Sequence, residues 1–315
     1  MLGFNLPYIP IRQQLYTGGE LFKGFDFGQP LSWAQTEDFT IYRHFVMEGR
    51  SMPTNPFMGM MQALHDNAIS QSTSALIAGR KVVAIMGGHK MERDSSDYKN
   101  VALIARRLAR AGLLVCSGGG PGAMEASHLG ASLSAGSDKH LDDALALLKP
   151  NAVVPALANI IDPKGVINQT LVGQAHAWFK PAYELASSIG SATASLAIPT
   201  WHYGHEPSTP LATHIAKYFQ NSIREDGLLA IAQQGIVYVE GKAGTIQEIF
   251  QDGAQNYYRT FGQFSPMVLL GAQYWTSTYP VVGVLQKLFA ADYAKYVLVT
   301  DDIDAAAQFI EKFNP

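Results

Sequence analysis

The chain has 315 residues, of which 47% are hydrophobic, and this length suits one large α/β domain with appendages or two domains. Its formal net charge of −3 argues against a nucleic acid as partner, and its single cysteine, Cys116, excludes an internal disulfide and favours the cytoplasm. The sequence shows no signal-peptide pattern and no run of about 18 apolar residues, so we expect neither secretion nor a membrane span.

Residues 1–76 are interpreted as an N-terminal extension rich in aromatic residues, glycine and proline. Within this extension, residues 57–69 (FMGMMQALHDNAI) have the composition of a helix, which follows a loop. We do not expect the extension to fold alone. It is expected to pack on the main domain, residues 77–315, or on a second subunit.

A strand–helix–strand unit opens the main domain. Residues 81–88 (KVVAIMGG) form an apolar run of the strand type that ends in two glycines. Residues 97–111 carry apolar side chains on one helical face, and residues 113–120 (LLVCSGGG) are the next strand, again followed by glycines. The unit takes about 35 residues, as a parallel crossover connection requires. A helix over 121–133 follows, with Pro121 near its first position.

The remainder of the chain continues the alternation of strands and helices. Residues 135–190 contain helical stretches broken by proline and glycine, which predicts a mainly helical insertion. The later elements are a strand from 195, a long helix over 209–233, strands over 235–239, 266–271 and 295–300, and helices over 245–259, 279–290 and 302–313. This order predicts an α/β fold with a doubly wound, Rossmann-like, mostly parallel sheet.

Three predicted strands end in glycine-rich turns, and ligands on such sheets bind beyond the carboxyl ends of the strands. The turns contain Gly87 and Gly88, then Gly118, Gly119, Gly120 and Gly122, and then Gly241 and Gly244. Glycine lets the backbone approach an anion closely, and the N-terminus of a following helix favours a phosphate. Two interpretations stay open at each turn, a phosphate site or a tight turn without a ligand.

The second turn also fits the dinucleotide pattern G-x-G-x-x-G/A loosely, through Gly118, Gly120 and Ala123. That pattern requires a second strand that ends in an acidic residue about 20 residues further on, whereas residues 141–148 (LDDALALL) have a helical pattern. An NAD(P)-dependent enzyme is therefore disfavoured. The P-loop pattern G-x-x-x-x-G-K-[ST] is absent, which argues against a standard kinase or ATPase.

Two motifs, GGGPGAME (118–125) and EGKAGTIQE (240–248), together resemble those of the LOG family, whose members also carry the label "lysine decarboxylase-like". Residues 222–235 (SIREDGLLAIAQQG) and 243–258 (AGTIQEIFQDGAQNYY) are most similar to the bacterial pyrimidine/purine nucleotide 5′-monophosphate nucleosidases of that superfamily. Both motifs stand in the family's order and at strand–helix junctions. The resemblance covers a little under half of the chain.

The resemblance implies a nucleotide-binding Rossmann-like fold, usually dimeric or of higher order. It also implies hydrolysis of a nucleoside 5′-monophosphate, such as AMP, to the free base and ribose 5-phosphate. Carried over by motif position, Arg224 and Glu248 are the catalytic residues, Gly119, Gly120, Gly244 and Thr245 bind the phosphate, and Met124 lies near the nucleotide. No metal and no redox cofactor is required for this reaction.

Two residues depart from the family pattern. Glu240 stands where the family has proline, and Lys242 stands where it has the second glycine of its PGGxGTxxE motif. If that glycine needs a positive φ, Lys242 strains the turn. Alternatively, its ammonium group adds a contact to the phosphate.

Glu248 has two competing roles. Cleavage of an N-glycosidic bond develops positive charge on the ribose, and a carboxylate can stabilise that charge or deprotonate the attacking water. However, Thr245 and Glu248 also match the capping box T-x-x-E, in which the glutamate only satisfies backbone groups of the helix. The family resemblance favours the catalytic role.

Other polar residues near the motifs allow several interpretations. Asp252, with Gln251 and Gln255, forms a polar stripe that lines the pocket or faces solvent. The spacing of His202, His205 and Glu206 is compatible with a metal site, but a loop lacks the helical frame of the usual zinc motif. We favour an aromatic loop of Trp201, His202 and Tyr203 that stacks on the base, and a buried Cys116 without chemistry.

Two other classes of protein stay open. A nucleotide-binding regulatory protein would bind AMP or GMP and release no base. A decarboxylase is disfavoured, because no lysine has the context of a Schiff base with pyridoxal phosphate.

Overall fold

The computed structural model describes residues 6–204 and 206–314 of the chain. Its centre is a parallel sheet of seven strands: β1 (Val82–Met86), β2 (Leu114–Ser117), β3 (Ser195–Ala197), β4 (His214–Ile215), β5 (Gly235–Tyr238), β6 (Met267–Leu270) and β7 (Val297–Thr300). The strand order is β4-β3-β2-β1-β5-β6-β7, and every neighbouring pair is parallel. The order reverses between β1 and β5. The predicted α/β class with a doubly wound, Rossmann-like sheet is confirmed.

Helices cover both faces of the sheet. They are α1 (Gly18–Leu21), α2 (Glu37–Met47), α3 (Pro56–Ile77), α4 (Ser96–Arg110), α5 (Ala123–Ser132), α6 (Asp138–Leu148), α7 (Gln169–Ser188), α8 (Asn221–Ile231), α9 (Ala243–Tyr258), α10 (Val282–Phe289), α11 (Tyr293–Tyr296) and α12 (Ile303–Glu311). Val83 and Ile85 of β1 pack with α4, α5 and α12, whereas Ala84 and Met86 pack with α2, α3, α8 and α9. Burial on both faces explains why β1 is a continuous apolar run.

The N-terminal extension packs on the main domain of the same chain. Tyr16 and Ile215 exchange two backbone hydrogen bonds of 3.0 and 2.8 Å, which pair the extension with the edge strand β4. The buried carboxylate of Asp38 accepts from the Lys217 ammonium at 2.6 Å and from Trp201 Nε1 at 2.8 Å. The predicted helix over 57–69 is present within the longer α3, which begins after the capping side chain of Asn55.

The predicted long helix over 209–233 is wrong. Only its second half forms α8, whereas the first half contains β4 and runs extended along the edge of the sheet. Ala216 N–H donates to the Ala197 carbonyl at 2.8 Å, and Tyr218 N–H donates to the Pro199 carbonyl at 3.0 Å. Because residues 207–212 and 215–219 are buried, the apolar residues fit a helical spacing and an extended strand equally well.

Residues 135–190 are mainly helical, as predicted, and contain α6 and α7. A buried ion pair connects them to the core: Arg93 donates to both carboxylate oxygens of Glu125 at 2.7 Å, and also to the backbone carbonyl of Trp178 at 2.8 Å. Within the part of the chain that the structure describes, no helix combines the length and apolar character that a membrane crossing needs.

Candidate functional site

The three glycine turns meet where the strand order reverses. Gly88 N–H donates to the Glu240 carbonyl at 2.9 Å, and Ala123 N–H donates to the Gly88 carbonyl at 3.2 Å. These two bonds connect the ends of β1, β2 and β5. The glycines that the structure brings together here are Gly87, Gly88, Gly118, Gly119, Gly120, Gly122 and Gly241. A ligand in the crevice between β1 and β5 would lie at this junction.

Gly122 is held in a conformation that only glycine adopts easily, with φ 68° and ψ −129°. A Cβ atom at this position would also overlap the Gly88 carbonyl oxygen. We expect Gly122→Ala to lower the free energy of unfolding by about 3 kcal/mol, because the strain and the overlap both act on the junction. Urea unfolding measures this loss, and Gly173→Ala in the open interior of α7 is the matched control, with a gain of up to about 1 kcal/mol. If Gly122→Ala unfolds at the same urea concentration as the wild type, the inference of strain and overlap at this position is wrong.

The turn of Gly118, Gly119 and Gly120 is buried. Gly119 has φ 74°, and its carbonyl accepts from Thr209 N–H at 2.8 Å. A Cβ atom at Gly118 would overlap the Arg224 guanidinium and would lie 2.7 Å from Met124 Sδ. Glycine therefore lets Arg224 and Met124 pack directly on the backbone of the turn. These two side chains thus cover the Gly118 part of the turn.

The N-terminus of α9 differs from the predicted capping box. The helix begins at Ala243, so Thr245 is its third residue and Glu248 lies in its second turn. Glu248 is therefore not the capping glutamate, and the interpretation as a helix cap is wrong. Lys242 has φ −108°, so the turn needs no left-handed residue at this position and the strain expected from a positive φ is absent.

The backbone N–H groups of Ala243, Gly244 and Thr245 have no hydrogen-bond partner among residues 6–204 and 206–314. Lys242, Ala243 and Gly244 are exposed. Three N–H donors and the positive end of the helix dipole thus lie together at the start of α9, directly after Lys242 in the chain. This arrangement is suited to bind a phosphate.

Glu248 is partly buried beside these groups. Burial raises the pKa of its carboxyl to about 7; the Arg224 guanidinium opposes this rise, and the carboxylates of Glu225 and Glu206 add to it. A carboxyl with a pKa near neutrality changes its charge in the range in which general bases operate.

Arg224 lies one turn into α8 and is only 7% exposed. Its Nε donates to the Ile198 carbonyl at 2.9 Å, and its Nη1 lies 3.9 Å from a carboxylate oxygen of Glu225. Within the described residues, Nη1 and Nη2 make no hydrogen bond. Both terminal nitrogens of the guanidinium thus have donors available for an anionic or hydroxyl group of a ligand.

Two residues of the site were not predicted as binding or catalytic residues. His89 directly follows the glycines after β1, and its Nδ1 lies 3.1 Å from a carboxylate oxygen of Glu206. Glu206 also lies near Gly120, since a Cβ atom at that glycine would be 3.7 Å from the Glu206 Cβ. The position of His89 at a strand end was the available signal in the sequence.

The predicted aromatic loop is only partly available to a base. Trp201 is 1% exposed, and its ring stacks on Phe219 at a centroid distance of 4.6 Å, so it belongs to the core and the prediction that it stacks on a base is wrong. His202 Nδ1 lies 3.1 Å from Ser51 Oγ. Tyr203 is partly exposed, and its hydroxyl accepts from Asn221 Nδ2 at 3.2 Å.

The remaining polar residues are placed as follows. His205 lies outside the described residues, among which no group of three or more histidine, cysteine, aspartate or glutamate side chains is arranged to hold a metal ion. Asp252 does not face solvent: it is 3% exposed and accepts from the Tyr238 hydroxyl at 2.8 Å, and burial raises its pKa to about 7. Gln251 bonds to Asp226 on α8. Cys116 is fully buried, and burial raises the pKa of its thiol.

No model of a protein family matches this chain, and a search of the curated proteins finds no match. The fold therefore defines the class: an α/β protein with a doubly wound, Rossmann-like sheet. This class of fold serves many functions. The residues at the strand reversal, and not the fold, therefore determine the function of the protein.

Proposed function

We propose that this protein is a nucleoside 5′-monophosphate phosphoribohydrolase, which hydrolyses the N-glycosidic bond to give the free base and ribose 5-phosphate. One observation carries the proposal: a partly buried carboxyl, Glu248, interacts electrostatically with a guanidinium, Arg224, whose terminal nitrogens make no hydrogen bond within the described residues. Glu248 lies on α9, and within residues 6–204 and 206–314 three backbone N–H groups at the start of that helix make no hydrogen bond. The motif resemblance to the nucleosidases of the LOG family points to the same reaction.

The spacing along α9 suits a nucleotide. The substrate phosphate would accept from the N–H groups of Ala243, Gly244 and Thr245, with the Lys242 ammonium adding charge. Glu248 lies five residues beyond the first residue of the helix, or about 7.5 Å along its axis. This span is comparable to the separation between a 5′-phosphate and the anomeric carbon of its ribose.

Glu248 and Arg224 then have different roles in the reaction. The bond from the anomeric carbon to the base nitrogen breaks, its electron pair leaves with the base, and the base takes up a proton. Water adds to the anomeric carbon and loses its proton to the ionised Glu248, which also stabilises the positive charge on the ribose. Arg224 orients the ribose or the phosphate by hydrogen bonds.

The pH dependence of turnover follows from the pKa of Glu248. Since the ionised form is required and burial raises this pKa to about 7, kcat is expected to fall about tenfold per unit below about pH 7 and to level off above it. This fall of kcat is the acid limb of the pH profile. Glu225→Gln is expected to move the acid limb to lower pH, because the Glu225 carboxylate raises the pKa of Glu248. The measurement is kcat at saturating AMP from about pH 5 to about pH 9. The substrate phosphate, with a pKa of about 6, titrates identically for both proteins. If kcat falls at the same pH in the wild type and in Glu225→Gln, Glu248 is not the group whose ionisation controls turnover.

A turnover screen tests the proposed function. Purified protein meets AMP, GMP, IMP, CMP and UMP, with adenosine as the unphosphorylated control, and chromatography measures the released base. Release from monophosphates but not from adenosine supports the proposal, and the ranking of rates identifies the preferred base. Binding without release would instead support a nucleotide-binding regulatory protein.

We further propose a cytoplasmic homodimer or higher homo-oligomer, as the resemblance implies. Exposed apolar side chains support an interface between subunits: Met52 and Met60 in the N-terminal extension are 87% and 52% exposed. The mass of the particle in solution tests this, and a monomer at all concentrations would contradict it.

A further inference from the structure

Asp66, in the N-terminal extension, holds the start of the helix that carries Arg224. Asp66 lies on α3 and is completely buried. Its two carboxylate oxygens accept from the backbone N–H groups of Phe219 and Gln220, each at 2.9 Å. Gln220 is the residue at the N-cap of α8, and its own side chain makes no capping hydrogen bond. A carboxylate from α3 thus fixes the backbone at the N-cap of α8 and at the residue before it.

A short path of hydrogen bonds connects Asp66 with Arg224. The Gln220 N–H donates to Asp66, and the Gln220 carbonyl accepts from Arg224 N–H at 3.4 Å. At the other end, Arg224 Nε donates to the Ile198 carbonyl. The position of the guanidinium is therefore fixed from its backbone and from its side chain. The negative charge of Asp66 also complements the positive end of the α8 dipole.

The groups behind Asp66 belong to the same extension. His65 Nδ1 lies 3.2 Å from Asp66 Oδ1, and His65 Nε2 lies 2.9 Å from the Tyr16 hydroxyl. Burial lowers the pKa of His65, which favours its neutral form. Tyr16 is in turn bonded to β4 through its backbone. The carboxylate is therefore supported by a rigid, fully buried network.

We infer that Asp66 is a positioning residue for Arg224, and that the N-terminal extension is in this way part of the functional site. The inference deepens the proposed function and rests on it for the effect on turnover. The effect on Glu248 does not rest on it. Because the Arg224 guanidinium lowers the pKa of Glu248, a displaced Arg224 leaves that pKa higher, with or without a substrate.

Asp66→Asn tests the inference, because asparagine keeps the shape but replaces one acceptor oxygen with a donor. We expect kcat/KM to fall by about 10- to 100-fold and the acid limb of kcat to move to higher pH. Asp302→Asn is the matched control: Asp302 also accepts from two backbone N–H groups at a helix N-terminus, but on α12, away from the site. The control is expected to lower the melting temperature without moving the limb.

The pKa of Glu248 is also measured directly, by carbon NMR of labelled glutamate carboxyl groups. A higher value in Asp66→Asn supports the inference even if the turnover screen shows no base release. An unchanged value and limb in folded Asp66→Asn would overturn it, whatever the melting temperature. If Asp66→Asn does not fold, Tyr16→Phe is measured instead, because this substitution removes only the hydrogen bond to His65. A higher pKa of Glu248 in Tyr16→Phe would support the inference, and an unchanged pKa with an unchanged acid limb would overturn it.

Discussion

Replacement of Glu248 by glutamine is expected to lower kcat by about 10²- to 10⁴-fold while the protein stays folded. Glutamine keeps the size of the side chain but cannot carry the negative charge that the ribosyl cation and the attacking water require. Base release from the substrate preferred in the screen measures the loss. Since Glu248 lies in the second turn of α9 and does not cap it, the helix should be unaffected.

The same variant is expected to be more stable than the wild type above neutral pH. The pKa of Glu248 is about 7 in the folded protein and 4.5 without the protein environment, so the native state holds its proton more tightly than the unfolded state. Stability from this group is thus greatest below about pH 4.5 and is lost as the pH rises to about 7. At about pH 8, Glu248→Gln should gain about 1–3 kcal/mol, seen as a higher melting temperature. A melting temperature below that of the wild type would contradict this.

Asp252 supplies the control for Glu248. Burial raises both pKa values to about 7, and the two residues lie one helical turn apart. However, the Asp252 carboxylate is bonded to Tyr238 and Asn256, and the residue is only 3% exposed. Asp252→Asn is therefore expected to change stability and to leave turnover within a few-fold of the wild type. Equal losses of turnover in both variants would argue against a specific role for Glu248.

Replacement of Arg224 is expected to have the second largest effect, about 10²- to 10³-fold in kcat/KM. Lysine keeps the charge but loses the planar fork of donors, and it changes the bond to the Ile198 carbonyl. Glutamine loses the charge as well. Turnover measured against AMP concentration separates the effects on KM and on kcat.

The two Arg224 variants should differ in their pH profiles. The charge of Arg224 lowers the pKa of Glu248, so Arg224→Gln should move the acid limb to higher pH, whereas Arg224→Lys should leave it nearly unchanged. Arg107→Lys is the control, because Arg107 pairs with Asp304 and Glu311 on the protein surface. If Arg224→Lys is as active as Arg107→Lys, Arg224 has no role in the proposed reaction.

The glycine turns could be predicted from the sequence because strand ends and helix starts leave local signals. Parallel strands place their carboxyl ends at one edge, so Gly88, Gly122 and Gly241 were expected near each other, and the structure joins their turns by hydrogen bonds. Their chemical use is a separate matter, which the turnover measurements address.

Distant contacts explain what the sequence could not predict. Trp201 lies in a polar aromatic stretch of the sequence. Its indole N–H donates to Asp38, which is 163 positions earlier in the chain, and this hydrogen bond holds the ring in the core. Similarly, the start of α9 depends on a turn in which the Gly241 carbonyl accepts from the Tyr274 hydroxyl at 2.6 Å. Local patterns such as T-x-x-E contain no information about such partners.

The reversal of strand order also determines when the site can be completed during synthesis. Val83 of β1 lies opposite Val115 on β2, but on its other side it lies opposite Gly235 of β5. A ribosome must therefore add about 150 residues before the second edge of β1 is paired. Until then the nascent chain presents an apolar, unpaired strand edge, which is a template for aggregation. Chaperones that bind unfinished chains should therefore matter most for this protein before β5 leaves the exit tunnel.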